Sequence, residues 1–263
     1  MDAWTTRYLQ SWADDFGDEP NAKQSLQFLN DVMSELKKLP NSKFAKTTTT
    51  SPGAVASSII TCIKSQQNPE VALEDLQAVI FEAAISSSLS AIDLAGVTQS
   101  LVDNLPGPLS KKFELQLASN MRERWNGPDK PSSSKGMDQC VEEWVSLNTF
   151  AAHLTRAHAE PLEDYALRTL NRAFGPGVDL NEKLYHIHAA AAWMDILGED
   201  IYLWSSQSSG DNRPSGFELH KWHEWKRGFE TCSNSDDLHP QVKGRVEMAF
   251  CKMKTLETTG TCH

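Results

Sequence analysis

Along most of the chain, apolar side chains recur every three or four positions, the spacing that places them on one face of a helix. Ala22, Leu26, Leu29, Met33 and Leu36 form such a stripe ahead of Pro40 and predict a helix from Ala22 to Leu39. Lys43 to Pro52, with Thr47 to Thr50 in a row, has no period and predicts a loop before a helix around Ala54 to Ser65. Asn68-Pro69 predicts the start of a long apolar helix reaching about Leu89, because Asn can cap free N–H groups and Pro at the first helical position has no N–H to lose. Phe113, Leu117, Met121 and Trp125 define another helix, bounded by Pro106-Gly107-Pro108 and Asn126-Gly127-Pro128.

The same punctuation continues beyond the turn-rich segment from Gly127 to Gly136, which reads as a linker. Asp138 is placed to cap a helix with the stripe Cys140, Trp144, Leu147, Ala151 and Leu154, ending before Pro161. Pro161 opens the next helix, which Gly175-Pro176-Gly177 ends. Asp179 and Glu182 have capping-box spacing ahead of Leu184, Ile187, Ala191 and Met194, and Gly198 is the expected stop. Ser215 and Glu218 repeat that spacing before Trp222, Trp225 and Phe229, and a last helix begins near Pro240 with Val242, Val246, Ala249, Met253 and Leu256. The expected architecture is all-α: a single irregular helical bundle of about ten helices over 1–263, with loops near 41–52, 126–137 and 205–215.

Composition narrows this picture. Ala and Leu number 50 against 20 for Val and Ile, which favours helix over strand. A formal charge of −10 without a basic stripe predicts no nucleic-acid partner. No stretch approaches the roughly 18 apolar residues of a membrane span, and the first residues carry no secretory leader pattern. The five cysteines are odd in number and widely spaced, with no C-x-x-C pair, so reduced thiols and a cytoplasmic location are expected, with Cys140 and Cys251 in the core.

Asp14-Asp15-Phe16-Gly17-Asp18 matches the D-D-x-x-D pattern with which class I terpene synthases hold magnesium. The companion pattern at Asn30, Asp31 and Ser34 lacks its closing acid, having Lys38 there, and lies too near the first in sequence. An acidic helix end is therefore expected, and no metal site. His186 and His188 point to different sides of a helix, and His220 and His223 lack a third ligand, so neither pair predicts zinc. No nucleophile elbow, Cys and His pairing or phosphate loop is present, and no cofactor is predicted. What remains is a helical cavity with aromatic walls, for which Trp144, Trp193 and Trp222 are the candidate walls. His188, His153 and Asn148 are the candidate donors, and Tyr185 and Tyr202 secondary ones.

Trp144, Leu147, Asn148, Phe150, Ala151, Ala152 and Leu154 follow the pattern W-x-x-L-N-x-F-A-A-x-L, and Trp193 lies in a second segment, Ala190 to Trp204. On these residues the chain resembles a large fungal family of helical proteins classed as a domain of unknown function. Similarity to cofactor-free cyclases of secondary metabolism, including the norbornene-forming Diels–Alderase type of sordarin-like diterpenoid pathways, implies an intramolecular [4+2] cycloaddition of a hydrophobic terpenoid intermediate. The matching positions are mostly packing residues, so the donors named above rest on the helix pattern alone. The alternative is a non-enzymatic helical module that binds a ligand or another protein, its aromatic cavity being simply its core.

Overall fold

Helices form where the stripes stand. The computed structural model describes residues 3–39, 50–86, 89–133, 135–175, 177, 180–207, 214–235, 238 and 240–260. Among these are eleven α-helices and no strand, apart from one isolated bridge between Ser132 and Lys135. The chain divides into two compact units, Met1–Asn126 with Ala157–Glu160, and Gly127–Arg156 with Pro161–His263. The division at Gly127 falls on the turn-rich segment in which no apolar side chain seeks burial.

The first unit contains α1 (Ala3–Phe16), α2 (Ala22–Leu36), α3 (Pro52–Lys64), α4 (Pro69–Ile85), α5 (Ala91–Asn104) and α6 (Gly107–Arg124). Its core is mainly aliphatic, with Leu29, Val32, Ile59, Leu73, Leu76, Val79 and Leu94 removed from solvent beside the rings of Phe28, Phe81 and Phe113. Gly96 lets α5 approach α3, since a Cβ there would lie 3.1 Å from the Pro52 ring. Among the polar side chains buried in this unit, Thr5, Gln77 and Thr98, Gln77 links two helices: it donates to the Phe113 carbonyl at 2.6 Å and accepts from Asn120 at 2.6 Å, tying α4 to α6.

The second unit contains α7 (Met137–Arg156), α8 (Glu163–Phe174), α9 (Leu180–Ser206), α10 (Leu219–Ser233) and α11 (Pro240–Gly260). It is built around α9, against which the other four helices pack. From Tyr185 to Leu197 every residue of α9 except Asp195 is buried, and the run Ala189 to Ala192 keeps its surface thin so that neighbours approach on several sides. Contacts pairing Asn148 with Trp193 and Asp195 with Lys252 give the matching levels along α7, α9 and α11.

Several expected boundaries are corrected. Gly198 does not end its helix: α9 continues to Ser206 through non-helical dihedrals at Leu197 (φ −113°, ψ 16°). The glycine instead serves packing, because a Cβ there would meet the Lys252 side chain at 3.1 Å and the Met194 sulfur at 3.2 Å. The helix expected to reach Leu89 stops at Ile85, and residues Ala91–Asn104 form α5, for which the stripe reading has no element. Glu218 is itself the N-cap of α10, without a side-chain cap bond, so the Ser215 and Glu218 box does not form. Asn68 also makes no side-chain cap bond, whereas Ser51 caps α3 by accepting from the Ala54 N–H at 3.3 Å. The expected start at Pro161 moves to Glu163. Cys140 is buried, but Cys251 is exposed, since α11 turns Val246, Ala249 and Met253 inward. The loop from 41 to 49 and the cap at Asp179 lie outside the described residues.

Candidate functional site

All eight residues singled out as donors or walls lie in the second unit, on α7, α9 and α10. They are distributed over three seams around α9. Where α7, α8 and α9 meet, Asn148 is completely buried. Its amide nitrogen donates to the Trp144 carbonyl at 2.8 Å, and its amide oxygen accepts from the Trp193 indole N–H at 2.8 Å and the Thr169 hydroxyl at 3.1 Å. Both lone pairs of that oxygen are therefore engaged by side chains from α8 and α9. Thr169 carries no signal of its own in the sequence beyond being the polar member of the buried stripe Ala166, Thr169, Leu170 and Ala173.

His186 lies on the same seam. Its ring and that of Trp144 form a T-shaped pair, with centroids 5.7 Å apart and planes at 88°. Burial first, and the positive charge of Arg172 second, lower its pKa to about 4, so the imidazole is neutral at physiological pH. Tyr185, one residue earlier, is also buried and directs its hydroxyl to the Met137 thioether at the start of α7.

His188 occupies a different seam, toward α11. It is 8% exposed, and neither ring nitrogen has a hydrogen-bond partner among the described residues. Burial, then the charge of Arg245, lower its pKa to about 4 as well. A neutral imidazole carries one N–H donor and one bare nitrogen, so the buried His188 ring offers both functions. His153 is half-buried in the last turn of α7.

The third seam lies between α10, α11 and the end of α9. Tyr202 packs on Trp222 with ring centroids 4.9 Å apart. The Trp222 indole donates to Glu257 at 2.8 Å, and Lys226 pairs with the other carboxylate oxygen. Burial alone raises the Glu257 carboxyl, but hydrogen bonds from Lys226 and Trp222 and the nearby charges outweigh it and hold it below the usual value. Glu257 was not among the residues the sequence pattern selects, because it sits on the half-exposed flank of α11 rather than on its stripe. Asn148 and Trp193 thus come together, as do Tyr202 and Trp222, while His188 belongs to neither pair.

Elsewhere, Asp14 and Asp15 are exposed in the last turn of α1, where Gln10 donates to Asp14 at 2.8 Å, and Gly17 closes the helix. His220 and His223 are exposed on α10 beside Glu218 and Glu257. Among the described residues, no group of three or more His, Cys, Asp or Glu is placed to hold a metal ion, and no helix is long and apolar enough to cross a membrane.

Residues 111–229 match the model of a family described as a protein of unknown function, DUF3632. The matched span includes α7, α8 and α9 whole, so it contains Asn148, Thr169, His186, His188 and Trp193 together with both segments on which the resemblance rests. No curated protein and no solved structure is matched by this chain.

Proposed function

We propose that the second unit is a cofactor-independent cyclase of a hydrophobic intermediate, with His188 as its polarising donor. The observation that supports this reading is the side chain itself: a buried imidazole, neutral because of burial and the Arg245 charge, with both ring nitrogens lacking protein partners among the described residues. In an apolar setting such an N–H is a strong donor to a carbonyl that gains charge as a reaction proceeds. The reaction that needs no more than this is an intramolecular [4+2] cycloaddition, in which three π bonds become two σ bonds and one π bond and nothing leaves. Similarity to cofactor-free cyclases of terpenoid pathways, expected from the sequence alone, would imply the same class. A pocket formed beside His188 would contribute chiefly by holding diene and dienophile in a reactive conformer.

A second reading, a helical module that binds a ligand or protein without turnover, is favoured by one specific observation. Asn148 and Trp193, a candidate donor and a candidate wall, satisfy each other, and their seam has the character of a structural core. Incubating the protein with extracts of a host that accumulates linear terpenoid intermediates separates the two. A product of unchanged mass and altered retention, formed much more slowly by His188→Ala, supports the cyclase. Retention of a compound by the protein without any such product supports the binding module.

A further inference from the structure

The first unit has a cavity that the proposed function does not use. It lies between α2 and the beginning of α4, opens to solvent and has a volume of about 300 Å³. Asn21, Gln24, Gln66, Asn68 and Asp75 contribute polar walls. Asn21 and Asn68 stand at the N-cap positions of α2 and α4, yet neither side chain makes the capping hydrogen bond. Gln24 donates across the cavity wall to Gln66 at 3.2 Å, linking α2 to the end of α3. Phe28, Val71 and Ala72 supply an apolar side.

Charge makes this cavity specific. Asp75 is half-buried and accepts hydrogen bonds from Trp12 and Ser25, while the acidic groups nearest it are Glu74 and Glu19. Burial, with those two acids, raises its carboxyl above the ordinary value. No Lys, Arg or His lines the cavity among the described residues. The Trp12 and Ser25 hydrogen bonds leave lone pairs of this carboxylate free, and beside other acids, with no cation in the walls among the described residues, those lone pairs favour a cationic donor. An ammonium group completes it: three N–H donors meet the carboxylate and the carboxamide oxygens together. Phe28 and Val71 suit the methylenes behind such a head, as apolar surfaces suit a lysine stem. The net charge of −10 draws cations toward the molecule, though it does not choose the site.

We infer that this cavity is a binding site for a primary aliphatic amine, its ammonium seated on Asp75 and its carbon chain against Phe28 and Val71. The test is calorimetric titration of the full chain with putrescine at low ionic strength, beside 1,4-butanediol, which has the same carbon skeleton without charge. The expected result is saturable binding of putrescine to one site and binding of the diol at least about tenfold weaker. Asp75→Asn weakens putrescine by at least about tenfold with helicity retained. Val71→Arg provides a second arm: Val71 is 45% exposed, so folding is not at stake, and the new guanidinium opposes an ammonium. Equal affinity for the diol, no saturable binding of putrescine, or unchanged binding in Val71→Arg overturns the inference. Weak multisite binding that neither substitution alters does the same, since it reports the acidic surface and not this cavity.

Discussion

The indole N–H of Trp193 donates to the side-chain oxygen of Asn148 at 2.8 Å, and both residues are fully buried. The bond joins α7 to α9 at the level where Thr169 adds a second donor from α8. Removing the shared acceptor by Asn148→Ala leaves two buried donors unsatisfied, each costing about 1–3 kcal/mol. We expect a loss of about 2–4 kcal/mol in urea denaturation. Trp193→Phe removes one of those donors, so the double variant will be less destabilised than the sum of the singles, and strict additivity would show that the bond does not couple the helices.

Gly228 provides a test of packing between α8 and α10. A Cβ at this position would lie 2.6 Å from Cγ of Phe174, whose ring already packs on Phe229 with centroids 4.5 Å apart. Gly228→Ala adds helix propensity of up to about 1 kcal/mol, while overpacking typically costs about 1–3 kcal/mol. A net loss of stability is expected. A gain would mean that Phe174 moves aside freely.

Acid sensitivity has a defined window. The folded-state pKa values of His186 and His188 are about 4, below the ordinary value of 6.5, so the unfolded chain binds more protons between these limits. Stability is therefore complete above about pH 6.5 and falls as pH drops toward 4, with a slope of at most about 1.4 kcal/mol per pH unit for each histidine. Glu257, whose pKa is lowered, acts later: its contribution is present above its ordinary value and is lost as pH falls below it. The urea midpoint at pH 5 will lie below that at pH 7.5, and His186→Asn with His188→Asn will shrink the difference. Identical midpoints for the wild-type chain at the two pH values would contradict the burial argument.

How far this was legible in the sequence differs between fold and site. Helix α2, with a clean stripe on one face, can be read directly because one buried face leaves a period, whereas α8 is bracketed only by Pro161 and Gly175. The stripe of Leu184, Ile187, Ala191 and Met194 locates the central helix α9 but shows only one of its buried sides, since Tyr185 to Met194 are buried throughout, and Gly198 reads as a stop when it is a close approach to α11. Helix spacing separates His186 from His188, and they do occupy different seams, facing Arg172 and Arg245 respectively. The bond from Trp193 to Asn148 spans 45 residues, and no local period encodes it. The same holds for Trp222 and Glu257, joined across 35 residues. The acceptor capacity of Asn148, which decides whether it can serve a ligand, follows from these distant partners and not from its own helix.

The acidic run at the end of α1 yields a prediction about metal dependence. Asp14 and Asp15 are exposed in the last helical turn, where negative charge opposes the helix dipole. Asp14→Asn with Asp15→Asn will leave turnover within a few fold of wild type and stability unchanged or slightly higher, by about 0.3–1 kcal/mol per charge at most. Chelation by EDTA will leave turnover intact. Loss of turnover on chelation, restored by magnesium and abolished in the double variant, would instead assign catalysis to this run.

The last prediction concerns the mechanism proposed for His188. A polarising hydrogen bond of the oxyanion type contributes about 2.7–4 kcal/mol, so His188→Ala will slow cyclisation by about 10²–10³-fold without abolishing it. His153→Ala and Asn148→Ala will not exceed that range, and any effect of Asn148→Ala will track its loss of stability. Because the His188 pKa lies near 4, its imidazole stays neutral from pH 6 to pH 8, and a cycloaddition polarised by its N–H will show a flat rate over that interval. A proton shuttle would behave differently, since its rate must follow the fraction of imidazole in each protonation state. The pH profile of product formation, measured for wild type and His188→Ala, distinguishes the two. A bell-shaped profile centred in that interval, with one limb missing in the variant, would place the His188 pKa near neutrality during turnover and replace cycloaddition by acid–base isomerisation.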